Sequence, residues 1–313
     1  MTRIITWVLL GLLVLISPGT ARSQGEKGET GDRFQFKVAV SAVNLDVVVT
    51  DKNGRFIPGL TESDFEVFED GVRQELSFFN PEVTPITVLL LLDASTSMRP
   101  SVDGVKEAAA NFVRKLWDGD QAIVGDFNER VRFSTYFTED VDRLVSTIQS
   151  LYPSGWTALY DAILLSILKL ETVEGRKALL VFTDGDDSQS VGVGSEASKD
   201  DCIEGAKFSE VTIYSVGFEG RRGFGGQGVN KGFLDKLSEE TGGAAFFPKD
   251  IGELNDSFSR IQDELHSQYR VAYIPSNTAG DGRWRAIEVR IKDRPNLVVR
   301  TRTGYYAVPQ QEP

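Results

Sequence analysis

Residues 88–92 read Val-Leu-Leu-Leu-Leu without a polar interruption, and an aspartate follows at once. A strand with no polar face must be covered on both sides, which is the condition of a strand inside a parallel sheet. The sequence that follows supplies the cover. Val105, Ala108, Ala109, Phe112, Val113 and Leu116 recur at helical spacing, and so do Val141, Leu144, Val145, Ile148 and Leu151. Residues 122–127, 178–182 and 211–216 are further short apolar strands. Helical spacing resumes at Phe233, Leu234 and Leu237, and Ile251, Leu254, Phe258, Ile261 and Leu265 form the stripe of a last helix. Strands alternating with amphipathic helices predict an α/β fold: a doubly wound, mostly parallel sheet with helices on both faces.

On either side of this segment the period changes from helical to two. Val43, Leu45, Val47 and Val49 share one face of a half-buried strand, and residues 65–68 and 72–79 continue the pattern. Asn53-Gly54 and Asp70-Gly71 carry the composition of tight hairpin turns, whose central residues need positive φ. Pro81 and Pro85 mark the boundary with the α/β segment. Beyond His266, residues 270–274, then Ile287, Val289 and Ile291, then residues 297–303 are β again. Each flank is small for a core of its own, so the two are expected to pair into one β-sandwich-like domain. The expected organisation is a leader over 1–23, an N-terminal β segment over 24–84, the α/β domain over 85–268 and a C-terminal β segment over 269–313. The Gly-rich stretch 220–228 is expected to be a mobile loop.

The first residues combine Arg3, an apolar run from Ile4 to Ile16 and a small-residue exit through Ala21 and Ser23. This is the pattern of a secretory signal peptide, and the run is shorter than the roughly 20 residues a membrane span needs. A cut after Ser23 removes Arg3 and Arg22 and no acid, taking the formal charge from −12 to −14. The mature protein is expected to be secreted, to the periplasm or the cell surface, with no membrane span. An acidic chain without a basic cluster offers nothing to a phosphate backbone, which excludes nucleic acid as a partner. Cys202 is the single cysteine, so no intramolecular disulfide forms, and it reads as a small buried apolar residue.

The chemistry gathers in three loops. The strand ending at Leu92 delivers Asp93-Ala94-Ser95-Thr96-Ser97, Gly155-Trp156-Thr157 precedes a helix starting near Ala158, and Thr183-Asp184-Gly185 follows a second buried strand. Ligands of open α/β sheets sit at the carboxyl ends of the strands, where these loops can converge. Asp93, Ser95, Ser97, Thr157 and Asp184 are an all-oxygen set, which suits a hard cation and would serve zinc poorly. Two carboxylates balance a dication, and the neutral hydroxyls leave it able to attract one more anion. In the competing interpretation the hydroxyls are helix caps and the aspartates turn formers. Asp186 and Asp187 extend the acidic loop and read as solvated residues.

Asp-x-Ser-x-Ser after an apolar strand, Gly-x-Thr before a helix and Thr-Asp-Gly after a later strand resemble the metal ion-dependent adhesion site of von Willebrand factor type A domains. The resemblance spans about residues 86–268, with three separated motifs in the right order. It implies a Mg²⁺ or Mn²⁺ site and a role in binding proteins, with metal contacts from Ser95, Ser97 and Thr157, and Asp93 and Asp184 contacting directly or through water. The implied partner is a protein ligand that presents a carboxylate. The flanks, through Asn44-Leu45-Asp46-Val47-Val48-Val49, residues 65–71 and Arg302-Thr303-Gly304-Tyr305-Tyr306, are similar to secreted VWFA-related proteins of the acidobacterial type.

A non-enzymatic binding protein is therefore expected, with a metal-assisted hydrolase and a metal-independent envelope scaffold as alternatives. His266 is the only histidine, far in sequence from the serines, and no Gly-x-Ser-x-Gly elbow occurs. Residues 192–197 match a dinucleotide fingerprint on paper, but a polar loop separates them from the preceding strand. A calcium loop starting at Asp184 fails because Gln189 and Ser195 stand where Gly and Glu are needed. The last helix of the α/β segment leads straight into the C-terminal β segment, so any shift along it would pull on that segment; the stripe reads first as packed core.

Overall fold

A computed structural model describes residues 42–82, 84–219 and 228–307. The leader over 1–23 and most of the Gly-rich stretch, 220–227, lie outside the described residues. The N-terminal flank gives β1 (Val43–Thr50), β2 (Phe65–Glu69), β3 (Val72–Gln74) and β4 (Leu76–Asn80). The α/β segment runs β5 (Ile86–Asp93), α1 (Val102–Val113), β6 (Gln121–Phe127), β7 (Val131–Phe133), α2 (Val141–Gln149), α3 (Leu159–Leu170) and β8 (Arg176–Thr183). It continues through α4 (Lys199–Phe208), β9 (Thr212–Gly217), α5 (Lys231–Glu240), β10 (Ala245–Phe246) and α6 (Ile251–Leu265). The C-terminal flank supplies β11 (Tyr269–Tyr273), β12 (Trp284–Ile291), β13 (Val298–Arg300) and β14 (Gly304–Tyr306).

The central sheet has the order β10-β9-β8-β5-β6-β7 and is parallel except for β7, which pairs antiparallel with β6 at the edge. Its middle strand is the apolar run. Val88, Leu90 and Leu92 enter one core with α1, α2 and α6, while Leu89 and Leu91 enter the other with α3, α4 and α5. Leu89 to Leu92 are all 0 % exposed, and each such side chain contributes roughly 1.5–3 kcal/mol by leaving water. Helix starts are fixed by side chains at the first turn: Asp140 accepts from Arg143 N at 3.0 Å, Asn230 from Phe233 N at 3.1 Å and Asp250 from Glu253 N at 2.9 Å. The chain leaves β5 for β6 on one side and returns to β8 on the other. The point where the winding reverses therefore lies between the carboxyl ends of β5 and β8.

The two flanks interleave strand by strand. One four-stranded sheet has the order β13-β1-β11-β4 and the other β14-β12-β2-β3, so each draws strands from both ends of the chain. Leu45, Val47, Val49, Val271 and Tyr273 from the first sheet share a core with Phe65, Val67, Ile287, Val289 and Ile291 from the second. The Asp70-Gly71 turn has positive φ at both residues, 48° and 79°, as the hairpin between β2 and β3 requires. The other turn differs from expectation: only Gly54 is at positive φ, and its loop brings Phe56 back to an isolated bridge with Thr50 rather than opening a long hairpin. Asp51 explains this, because its carboxylate accepts from Asn53 N and Arg55 N and folds the turn on itself.

Tyr269 is the pivot of the sandwich. Its ring packs against Phe56, Phe65 and Phe79, and its hydroxyl donates to Ile57 O at 2.7 Å while accepting from Leu60 N at 3.1 Å. Tyr269→Ala is expected to cost about 3–5 kcal/mol, as for other large aromatic truncations, and Tyr269→Phe about 1 kcal/mol through the lost hydroxyl. Urea denaturation of both variants measures the difference; equal losses would mean that the ring contributes nothing beyond its hydroxyl.

Candidate functional site

Because Leu92 of β5 lies beside Phe182 of β8 in parallel register, the chain delivers Asp93 next to Thr183 and Asp184. Asp93 is fully buried, and its carboxylate accepts from Ser95 N at 2.8 Å and from Thr183 Oγ1 at 2.7 Å. Ser95 Oγ is 2.9 Å from Ser97 Oγ, and Ser97 Oγ donates to Asp184 Oδ1 at 2.7 Å. Four of the five residues singled out in the sequence are thus joined by direct contacts. Thr183, which is not one of the five, ties the two strand ends together.

The Thr157 loop is stitched to the same place through its backbone. Thr96 N donates to Gly155 O at 3.0 Å, Ser154 N to Ala94 O at 2.8 Å and Ala158 N to Asn128 O at 2.9 Å. Gly155 sits at φ 75°, a conformation that strains any residue with a Cβ, and a Cβ there would also stand 2.9 Å from the Glu129 carboxylate and push it aside. Thr157 is 6 % exposed and contacts the third loop through its own backbone, donating to Ser188 Oγ and accepting from Ser188 N. Its hydroxyl takes no part in the Ser95–Ser97–Asp184 chain. Neither Ser95 nor Thr157 serves as a helix cap: the Ser95 side chain makes no capping hydrogen bond, and the capping position of α3 is Ala158.

Asp186 and Asp187 differ from the solvated pair expected. Asp187 is 4 % exposed and its carboxylate accepts from Leu159 N, Tyr160 N, Gln189 N, Ser195 N and Ser195 Oγ. It caps α3 across 28 residues of chain and holds the turn over 188–195. Asp186 accepts from Tyr160 Oη at 3.1 Å and Asn230 Nδ2 at 2.9 Å. Both are structural ties. The one sequence signal is their position just past Asp184 and Gly185, and nothing in it points to the helix that Asp187 caps.

The electrostatics single out the other two acids. Burial, then the neighbouring Asp184 charge, push the Asp93 carboxyl up to about 7, and burial raises Asp184 as well against the hydrogen bond from Ser97. No group of three or more His, Cys, Asp or Glu side chains suited to a metal occurs among the described residues. A cation here would therefore use hydroxyl oxygens as well, which Ser95 and Ser97 place beside the two carboxylates. Such a donor set fits a hard divalent ion. His266 lies at the opposite end of the sheet, its Nε2 2.8 Å from Asp120 Oδ2 just before β6 and its ring stacked on Trp117, so it is out of reach as a base for the serines. Cys202 is buried, and burial pushes its thiol up, which makes it inert.

A carboxyl held above its unfolded pKa of 3.8 binds its proton more tightly in the folded chain. The contribution of Asp93 to stability without divalent cation is therefore lost as pH rises from about 4 to about 7, and above that range the loss is complete. Asp93→Asn removes the charge but keeps an acceptor for Ser95 N, and Thr183 Oγ1 can accept from the new amide while donating to Gly185 O. In chelator at pH 8 this variant is expected to melt several degrees above the parent, at roughly 2–4 °C per kcal/mol for a domain of this size. A lower melting temperature would show that the Asp93 charge is already compensated.

A family model for the von Willebrand factor type A domain matches residues 87–260. The chain is 24% identical over 190 residues to the uncharacterized protein YwmC of Bacillus subtilis (strain 168), covering 52% of this chain and 77% of that protein. Among solved structures, a von Willebrand factor type A protein from Catenulispora acidiphila is 13% identical, with 85% of this chain and 74% of that chain covered at a TM-score of 0.51. The vWF domain of the type V pili tip protein Mfa5 from Porphyromonas gingivalis is also 13% identical, with 58% and 95% covered and a TM-score of 0.47. At such identities a structural likeness speaks for the fold alone. The family model covers more than half of the chain, and with the central sheet and its two helical layers it places this protein in the von Willebrand factor type A domain family.

Proposed function

We propose that this protein is a secreted, non-enzymatic binding module that captures an acidic group of a protein partner through a Mg²⁺ or Mn²⁺ ion held by Asp93, Ser95, Ser97, Thr157 and Asp184. The supporting observation is the chain of contacts from Ser95 through Ser97 to Asp184, alongside a second buried carboxylate at Asp93. Two carboxylates with raised pKa values in one recess form a site whose own charges oppose each other. A bound dication neutralises the pair and offers an exchangeable position to a partner's carboxylate.

The chain's own residues set what reaches that position. Asp93 lies at the floor with 0 % exposure, while Ser97 and Asp184 are half-buried at the mouth. Trp156, 52 % exposed, and Tyr152, 72 % exposed, lie on the stretch of chain that leads into Thr157 and offer a partner apolar area there. No helix among the described residues is long and apolar enough to cross a membrane. The apolar start of the chain supports export as the reading of residues 1–23.

Calorimetric titration of the full chain with Mn²⁺ and with Mg²⁺ is expected to show one site, lost in Asp93→Ala and Asp184→Ala. Thr157→Ala is expected to weaken it by a smaller factor, because that hydroxyl stands outside the Ser95–Ser97–Asp184 chain. Capture of envelope proteins on the immobilised protein should be reversed by EDTA. Unchanged metal titration in both aspartate variants would overturn the site, and EDTA-resistant capture would overturn its role in binding.

A further inference from the structure

At the opposite end of the central sheet, roughly 23 Å from the cation site along the eight residues of β8, a cleft opens where the sandwich meets the α/β layer. It has ≈ 40 Å³ of room for the centres of water-sized groups, several times what one water needs. Hydrogen-bond donors line it. Arg176, 5 % exposed, spends its terminal nitrogens on Thr84 O, Leu265 O and Gln268 Oε1, while its Nε has no hydrogen bond and meets Asp46 Oδ1 only at 3.5 Å. Thr301 Oγ1, from the stretch after β13, is buried and unpartnered too. Among the described residues four buried side-chain N or O atoms lack a hydrogen bond, and two of the four belong to residues that line this one cleft.

Two more arginines line the same cleft. Arg302 donates only to carbonyl oxygens, Nε to Gly304 O at 2.7 Å and a terminal nitrogen to Lys207 O at 3.2 Å, and burial pushes its pKa down. The Arg270 side chain makes no hydrogen bond and no ion pair among the described residues, although Asp46 stands opposite it across β1 and β11. Three acids line the cleft as well, and none makes a hydrogen bond to these arginines. Asp46 reaches Arg176 only at the long distance given, Glu240 accepts from Thr303 Oγ1, and Glu210 is exposed and acts on Arg302 through its charge alone.

Unspent donors on three arginines and a threonine call for an acceptor with many lone pairs. One water accepts about two hydrogen bonds, whereas an oxyanion accepts several and carries the compensating charge. We propose that this cleft binds a small tetrahedral oxyanion, inorganic phosphate or sulfate, held by Arg176, Arg270, Arg302 and Thr301. Arg176 belongs to the α/β domain and the other three to the C-terminal β flank. The anion therefore joins the two parts of the molecule.

The test uses the full chain in EDTA, so that no divalent cation contributes, at constant ionic strength. Phosphate and sulfate are titrated against chloride, with melting temperature and calorimetry as readouts. A saturable rise in melting temperature with either oxyanion and none with chloride is expected, because a ligand of the native state stabilises it by mass action. Arg270→Gln removes a side chain with no partner, so the variant folds, and it is expected to weaken binding at least tenfold. Arg270→Lys, which keeps the charge without the planar fork, should weaken it less. A shift that follows phosphate but not sulfate, or the reverse, identifies the anion. The absence of a saturable shift beyond chloride, which is the behaviour of a water-filled cleft, or an equal shift in Arg270→Gln, would overturn the proposal.

Discussion

The Asp187 carboxylate holds the recess at the carboxyl edge of the sheet together. Five donors converge on its two oxygens: two amides at the start of α3, two amides of the following turn and the Ser195 hydroxyl. A carboxylate has about four lone-pair positions, so this one is fully committed to the chain and has nothing left for an ion. Its negative charge sits at the positive end of α3, which stabilises it where it is buried. Thr157 directly precedes that helix, and the Asp184 loop leads into Asp187. One side chain thereby sets the distance between two of the three loops, and the backbone bonds from Ala94 and Thr96 to the 154–155 segment set the third.

Against that fixed frame the two remaining acids behave differently. Asp93 has two donors and Asp184 has Ser97, and both carboxyl groups are raised because burial disfavours their charge. A fold that commits so many amides to Asp187 could satisfy Asp93 in the same way. Instead it surrounds the pair with hydroxyls that are not used as caps. Stability is given up locally at a recess whose rim is otherwise tightly tied, which is the usual mark of a place kept for a ligand. The cleft at the far end has the opposite sign, with unspent donors in place of crowded acceptors.

Much of this was legible in the sequence because it depends on periodicity and on strand ends. The apolar run at 88–92 predicted a doubly covered strand, and its first following residue became the floor of the recess. Asp93, Ser95, Ser97 and Asp184 were recognisable because each leaves the carboxyl end of a buried strand. The antiparallel edge strand β7 was not, since three residues at a sheet edge carry no periodic signal. Nor was the role of Asp187, which depends on a helix start 28 residues earlier in the chain coming within 2.7 Å. Sequence pattern reads an acidic loop as solvated because it contains no information on what packs over it. The arginines of the cleft were hidden for the same reason: Arg176, Arg270 and Arg302 are far apart in the chain and meet only when the flanks fold back on the base of the sheet.

Crystals grown in Mn²⁺ give the most direct test of the cation site, because the ion is located by its anomalous scattering without reference to any variant. One peak is expected, within coordination distance of Ser95 Oγ and Ser97 Oγ, with Thr157 on its third side and Asp93 and Asp184 beneath it. No peak there at saturating Mn²⁺, or a peak seated on Asp186 and Asp187 instead, would contradict the assignment.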